Sequence, residues 1–388
     1  MVVKMRGIFA SCVLAALLLA EVWADHHGHH DHGSNHSDEG QPSYFKLSRP
    51  NADFAFALYK NLNAKTDAGK NIFYSPLGIS TNQSQVDVAY ERLFHEVGRS
   101  QDNQTLDVGN AVVVRTGFNP LENFLTEIKN HYSGDLFNVD LDNAAEAVAK
   151  LNTYIANKTH DRIKDMVKEF DQDMDMMLIN YVYFKGKWEN PFRNVVTHKA
   201  DFHVDENTKV QVDMMTKTGS FNTYFDADNN ATVIMLPYKG TTSMMIVLPD
   251  EGKMKEVEGR ISKEHLMHWR RSGSMKHIAF DLPTFSISAD TCLKDTLKEM
   301  GITKAFEDDA DFSGISGDTK LKLSRVSHRA SLSVTEEGTE EVDTTTLAPV
   351  SLNVPLKVAV DRPFLVFVLD SSVKSILFMG KINNPTLI

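Results

Sequence analysis

The chain has 388 residues, 42% of them hydrophobic, with 12 prolines, 21 glycines and a formal net charge of −11. That is enough apolar material for one large domain or two ordinary ones. The acidic balance argues against a nucleic-acid partner, which needs clustered Lys and Arg; short basic runs such as His268–Arg271 read as solvated surface, with an anionic glycan as a weaker option.

Met1–Ala24 reads as a secretory signal peptide. Lys4 and Arg6 give a positive start, Ile8–Leu19 a short apolar run, and Val22-Trp23-Ala24 a cleavage site. No later stretch is long and apolar enough to cross a bilayer, which predicts a soluble, secreted mature protein with no membrane partner. Cys12 leaves with the signal, so Cys292 stands alone and no intramolecular disulfide can form. Cys292 is then a free thiol, a site of mixed disulfides, or a buried inert residue.

Residues 25–43 form a low-complexity tail without core-forming side chains. Its histidines, His26, His27, His29, His30 and His32 among them, could bind Zn²⁺ or Cu²⁺ as neutral imidazoles. Cleavage after Ala24 would also leave an amino group two residues before His27, completing a square-planar Cu²⁺ site. A flexible polar tail that binds metal only incidentally is the simpler reading. No resident cofactor is expected. Secretion gives meaning to five N-x-[ST] tripeptides, at Asn35, Asn82, Asn103, Asn157 and Asn230, as candidate glycosylation sites.

From Pro50 the spacing predicts a helix, capped by Asn51, with Phe54, Leu58 and Leu62 on one face. Asn71–Ser80 is an apolar run. Val86–Val97, Leu121–Tyr132 and Ala144–Asn157 also carry helical stripes. Strand-like runs follow at Met177–Phe184, Val210–Met215, Thr232–Leu236, Met244–Leu248, Ile278–Leu282, Ala330–Val334 and Phe364–Asp370. Leu293–Met300 is helical and ends at Gly301. Helices dominate the first half and strands the second, the pattern of an α+β domain spanning 44–388. No G-x-S-x-G, H-E-x-x-H, G-x-x-x-x-G-K or G-x-G-x-x-G motif occurs, so the chain is not expected to be an enzyme.

Longer strings are more specific. Asn71-Ile72-Phe73-Tyr74-Ser75-Pro76 is one. Asn180-Tyr181-Val182-Tyr183-Phe184-Lys185-Gly186-Lys187-Trp188 with Pro191-Phe192 is another. Asp201-Phe202-His203-Val204, Leu236-Pro237-Tyr238, Ala310-Asp311-Phe312-Ser313-Gly314-Ile315, Ser327-His328-Arg329-Ala330, Arg362-Pro363-Phe364 and Phe378-Met379-Gly380-Lys381 complete the set. Together they resemble the serpin family, in its α1-antitrypsin-like branch, from about Tyr44 to Ile388. The resemblance implies three β-sheets, about nine helices and an exposed reactive loop. It implies a monomeric, secreted inhibitor that is cleaved by a serine protease and then inserts its loop into the central sheet. Ser75, Asn180 and His328 match the polar cluster beneath the parting strands, and Trp188 the aromatic where insertion begins. Glu336, Gly338, Thr339 and Glu340 match the hinge. The family's spacing to Pro363 puts the reactive bond at Leu352–Asn353, which suits a chymotrypsin- or elastase-like extracellular protease.

Two departures stand out. Glu341 and Asp343 occupy hinge positions where inhibitory members carry small residues, and burying two carboxylates costs several kcal/mol each unless they are paired. A non-inhibitory member, such as a protease substrate, a carrier or a metal binder, is the alternative reading. Roughly thirty residues, one or two helices, are also absent after Ser80, which predicts a weaker or repacked core. Thr284 stands where the family often has Lys, removing an expected partner of Glu336.

Overall fold

A computed structural model describes residues 48–76, 104–132, 134–192, 197–316, 320–336, 355–372 and 374–387. Six α-helices occur among them: α1 (Ser48–Lys65), α2 (Glu122–Tyr132), α3 (Ala144–Lys158), α4 (Met254–Arg260), α5 (Lys263–Ser272) and α6 (Lys294–Glu299). The strands are β1 (Ile72–Tyr74), β2 (Gln104–Arg115), β3 (Gly134–Val139), β4 (Met176–Gly186), β5 (His198–His203), β6 (Lys209–Asp226) and β7 (Ala231–Pro237). They continue with β8 (Thr242–Pro249), β9 (Ser274–Pro283), β10 (Phe285–Cys292), β11 (Leu323–Val334), β12 (Leu356–Ala359), β13 (Phe364–Asp370) and β14 (Ser375–Ile382).

Five strands form one sheet in the order β10-β11-β4-β2-β3. Nine form the other, in the order β1-β14-β13-β8-β7-β6-β9-β12 with β5 beside β6. Two of the expected three sheets are continuous here because β6, 18 residues long, pairs β5 along Lys209–Met214, β9 along Met214–Thr223 and β7 along Asn222–Asp226. Strand β4 is buried along almost its whole length, as a central strand covered on both faces must be. Its inward face (Val182, Phe184) joins the core shared with the nine-stranded sheet, and its outward face (Met177, Ile179, Tyr181) packs under Leu151 and Ile155 of α3.

Several expectations are met closely. Helix α6 ends in a Schellman motif: Gly301 takes φ +98°, Gly301 N donates to Lys298 O at 3.0 Å, and Ile302 N to Leu297 O at 2.9 Å. Others are corrected. Helix α1 begins at Ser48, so Asn51 lies inside it and does not cap. It is buried, and its Oδ1 accepts from Ile376 N of β14 at 3.1 Å. The first half of the chain also supplies β2, β3 and β4, three of the five strands of the smaller sheet. The predicted helix at Val86–Val97 and the shortened stretch after Ser80 lie outside the described residues.

Candidate functional site

The five-stranded sheet contains one distinctive seam. β11 runs parallel to β4, in register from Arg325 opposite Met177 to Leu332 opposite Phe184. Its other neighbour, β10, is antiparallel, and β2 is antiparallel to β4. A segment that left the end of β11 and folded back would be antiparallel to β11, and therefore to β4 as well. One parallel ladder would be replaced by two antiparallel ones, which are slightly stronger per residue.

The chain leaves β11 through Thr335 and Glu336, and both are clamped. Trp188 Nε1 donates to Thr335 O at 2.9 Å, and Phe192 N to Glu336 O at 2.8 Å. Thr197 Oγ1 donates to Glu336 Oε1 at 2.7 Å. Trp188 is itself fixed by face-to-face stacking on Tyr238, centroids 4.1 Å apart. Lys217 donates to Asn190 O and Pro191 O beside the clamp, and burial lowers its pKa. Glu336 thus finds Thr197 rather than a partner at 284, where the Thr284 backbone N–H instead bonds Asp213 O at 2.8 Å.

Beneath the seam a polar row crosses four strands, since Asn110, Asn180, His328 and Thr291 are successive register partners. Ser75 N donates to His328 Nε2 at 2.9 Å, which places the imidazole proton on Nδ1. Nδ1 then donates to Asn180 Oδ1 at 2.6 Å, and Asn180 Nδ2 to Asn110 Oδ1 at 2.9 Å. Ser75 Oγ donates to Leu377 O of β14 at 2.6 Å, so the row bolts the two sheets together. Full burial holds His328 neutral, its pKa pushed down to about 3. All members of such a buried row must be satisfied at once.

The outer face of the seam is crossed by the segment after α3. Arg329 on β11 makes a bidentate pair with Asp290 on β10, and its Nη2 donates to Asp165 O at 3.3 Å.

The chain resumes at Pro355 and enters β12, which pairs in parallel with β9 at the end of the nine-stranded sheet. Val360 N donates to Asp281 O at 2.9 Å, and Lys357 Nζ pairs with Asp281 Oδ2 at 3.1 Å. Residues 337–354 therefore connect an inner strand of one sheet to an edge strand of the other.

The structure brings Ser75, Asn180 and His328 together, and sets Trp188 against Thr335, the residue before Glu336. Gly338, Thr339, Glu340, Glu341, Asp343, Leu352 and Asn353 lie outside the described residues, as do His26, His27, His29, His30 and His32. So do Asn35, Asn82 and Asn103. Asn157 is exposed on α3, and Asn230 is half-buried in the β6–β7 turn. Cys292 is exposed, not buried, in a cleft beside Lys65 and Lys298. Asn110 and Thr197 have no place in the sequence reading, and Phe192 enters it only within the string that ends Pro191-Phe192. Only Asn110 carried a signal, as an amide interrupting a strand-like run.

Among the described residues no cluster of three or more His, Cys, Asp or Glu could hold a metal, and no helix is long and apolar enough to cross a membrane.

A family model described as Serpin (serine protease inhibitor) matches residues 80–385. The chain is 48% identical over 314 residues to an alpha-1-antitrypsin homolog of Cyprinus carpio, covering 81% of this chain and 84% of the carp protein. It is 33% identical to an alpha-1-antiproteinase of Rattus norvegicus over 412 aligned positions, covering 98% of each chain. That alignment is longer than this chain's 388 residues, so it includes positions this chain lacks. Among solved structures, human glycosylated kallistatin superposes with a TM-score of 0.81 at 30% identity, covering 90% of this chain and 100% of that one. A thyroxine-binding globulin complex with thyroxine gives 0.80 at 31%, covering 88% and 100%.

Proposed function

The chain belongs to the serpin family, and from that premise we propose that it is a secreted inhibitor of an extracellular serine protease that works by reactive-loop cleavage and insertion. The observation that carries this reading is the parallel β4–β11 seam, with residues 337–354 leaving directly from the end of β11. The protease attacks the Leu352–Asn353 bond, and the Leu352 side chain suits an apolar primary pocket. The acylated segment folds back from Glu336 and enters the seam as a new antiparallel strand. Trp188, Phe192 and Thr197 must release Thr335 and Glu336 for this to begin. The Ser75–His328–Asn180–Asn110 row keeps the seam's polar groups paired until then. No group on this chain performs catalysis; the protease supplies it.

The test is a denaturing gel after incubation with chymotrypsin or elastase. An SDS-stable complex supports the reading, and cleaved chain alone removes it. Secretion, the Met1–Ala24 signal and glycan at exposed Asn157 belong to the same reading, as does a monomeric state. Matching to the family model begins at residue 80, which supports placing the missing segment at that junction.

Glu341 and Asp343 favour a second reading, a non-inhibitory serpin cleaved as a substrate. On insertion they would share the inward face with Thr339 and Thr345, and two buried carboxylates slow the step. A carrier role fits the likeness to thyroxine-binding globulin, and Cu²⁺ or Zn²⁺ at the histidine tail would be cargo of this kind. Calorimetric titration of Cu²⁺ and Zn²⁺ against the chain with and without residues 25–36 tests the metal part; equal affinity removes the tail from it.

A further inference from the structure

Helix α3 ends at Lys158, and the chain then turns sharply. His160 (φ 48°) and Asp161 (φ 62°) are both left-handed, a costly conformation for residues with side chains, and two in succession mark a strained corner. Beyond it residues 162–175 form a strap over the outer face of the five-stranded sheet. Ile163, Met166, Val167 and Phe170 are buried with Ile179 and Tyr181 of β4, and Asp165 O accepts from Arg329 Nη2 of β11. The strap therefore lies across both strands of the seam. Its backbone is held by side chains rather than by a ladder: Ile163 N donates to Thr159 Oγ1 at 3.1 Å, and Val167 N to Asn152 Oδ1 at 2.9 Å.

At the corner the strap meets β2. His160 Nε2 lies 3.8 Å from Asp107 Oδ2, and the two side chains differ in exposure, 74% for the imidazole and 19% for the carboxylate. Asp107 Oδ2 is buried and accepts no hydrogen bond from the described residues. Burial pushes the Asp107 carboxyl above its ordinary range, and His160 draws it partly back. The other charged and titratable groups around the corner have contacts of their own. Tyr183, opposite Asp107 on β4, lies under the Arg162 guanidinium at 5.9 Å, and Lys185 follows on the same face of β4. Tyr181 lies opposite Gly109. Tyr154 of α3 donates to Asp135 of β3 at 2.7 Å and has Lys158 over its ring. Asp161 pairs with Lys164, and Arg329 with Asp290. His160 is the basic side chain that the fold sets against Asp107.

In neutral solution an imidazole is mostly uncharged, and the Asp107 carboxylate faces a neutral ring. As the pH falls through about 6.5 an imidazole becomes a cation, and the pair becomes ionic. At still lower pH the carboxylate takes a proton and the pair is lost. We propose that His160 and Asp107 form a pH-operated latch on the strap, fastened in mildly acidic surroundings and slack at neutral pH. The fastened latch holds the strap across β4 and β11, so the seam opens less readily. Its consequence for inhibition rests on the insertion proposed above: insertion slows in mild acid for a reason that lies in the serpin and not in the protease.

Native-state hydrogen exchange of the full chain tests the latch without a protease. The reporters are the amides of Arg162, which donates to Thr159 O at 2.9 Å, and of Ile163 and Val167. They are read against amides of α1 in the same sample, so a change in global stability cancels, and are corrected for the pH dependence of intrinsic exchange. In the wild type the strap should open about 2- to 5-fold less often at about pH 5.5 than at about pH 7.4, the fold-change of a partly exposed ion pair. His160→Asn keeps a side chain that tolerates the left-handed backbone, and Asp107→Asn keeps the shape of the carboxylate. Each should abolish the difference, and the double variant should behave as either single one. A wild-type strap that opens equally at both pH values overturns the proposal, and so does a difference that survives in His160→Asn. Absence of a protease complex would overturn the inhibitory reading and leave these exchange rates as they are, so the two fail separately.

Discussion

His328 and Asn180 face each other across the parallel seam, Nδ1 to Oδ1 at 2.6 Å, where the proposed insertion would part β4 from β11. His328 uses both ring nitrogens there and stays neutral, and Asn180 uses both its amide oxygen and its amide nitrogen. The hydrogen bond is local to the seam, but Ser75 carries it into the second sheet. Opening the seam therefore breaks a row of bonds together rather than one at a time.

Acid should act on this row. His328 is held neutral in the fold, with its pKa pushed down to about 3 by burial, whereas in the unfolded chain it titrates near 6.5. Between those values the unfolded chain binds the extra proton. The stability this residue contributes is complete above about pH 6.5 and is lost as the pH falls toward 3, at up to ~1.4 kcal/mol per pH unit. Denaturant titrations between pH 4 and 7 should show that slope in the wild type, and a shallower one in His328→Gln.

The clamp on Glu336 is the second testable feature. Thr197→Val removes the hydroxyl that donates to its carboxylate. A hydrogen bond to a charged group is worth about 1.5–3 kcal/mol. Thr197→Val and Glu336→Ala should each lower the melting temperature, and the double variant should lower it by less than their sum. Full additivity would mean that the two side chains do not act on each other.

A third prediction concerns the core. Glu258 on α4, Lys381 on β14 and Tyr59 on α1 meet in the interior: Lys381 Nζ to Glu258 Oε1 is 2.9 Å, and Tyr59 Oη donates to the same oxygen at 2.5 Å. Burial and the adjacent carboxylate raise the Tyr59 pKa, so its hydroxyl stays a donor. Glu258→Ala leaves the Lys381 ammonium with the neutral Asn63 Oδ1, at 2.6 Å, in place of a carboxylate and should destabilise toward the lower end of about 3–5 kcal/mol, read by chemical denaturation. Glu258→Ala with Lys381→Met should recover much of that loss.

The fourth prediction is on the hinge. Replacing Glu341 and Asp343 with Ala removes two carboxylates from the face that would turn inward in the proposed insertion. The double variant should form more protease complex per loop cleaved than the wild type. Quantitative gels at fixed protease measure the ratio directly, and an unchanged ratio would mean that these side chains do not limit insertion.

Much of the frame was legible in the sequence because it is written in contiguous strings. Asn180–Trp188 marks β4 and its exit, and Gly301 marks the end of α6 through a backbone conformation that only glycine adopts freely. Strand β6 was read only as Val210–Met215, since Lys217, Gly219 and Ser220 interrupt its pattern where it is half-exposed. β2 went unassigned although Ala111–Val114 is apolar and largely β-branched. Asn51 fits the rule for a helix cap, but a contact with Ile376, distant in sequence, gives it another role. The partners of Glu336 could not be read at all. Thr197, Trp188 and Phe192 converge on the end of β11 only once the strands are stacked.

In the proposed mechanism, cleavage of the loop drives it into the β4–β11 seam and traps the protease. The most direct measurement incubates the full chain with chymotrypsin or elastase and examines the products on a denaturing gel, with a thermal melt of the cleaved chain. The expected products are an SDS-stable adduct accompanied by a fraction of cleaved free chain, a released fragment that begins at Asn353, and a cleaved form that melts well above the native one. Complete conversion to cleaved chain with no adduct, and a melt no higher than before cleavage, would contradict it.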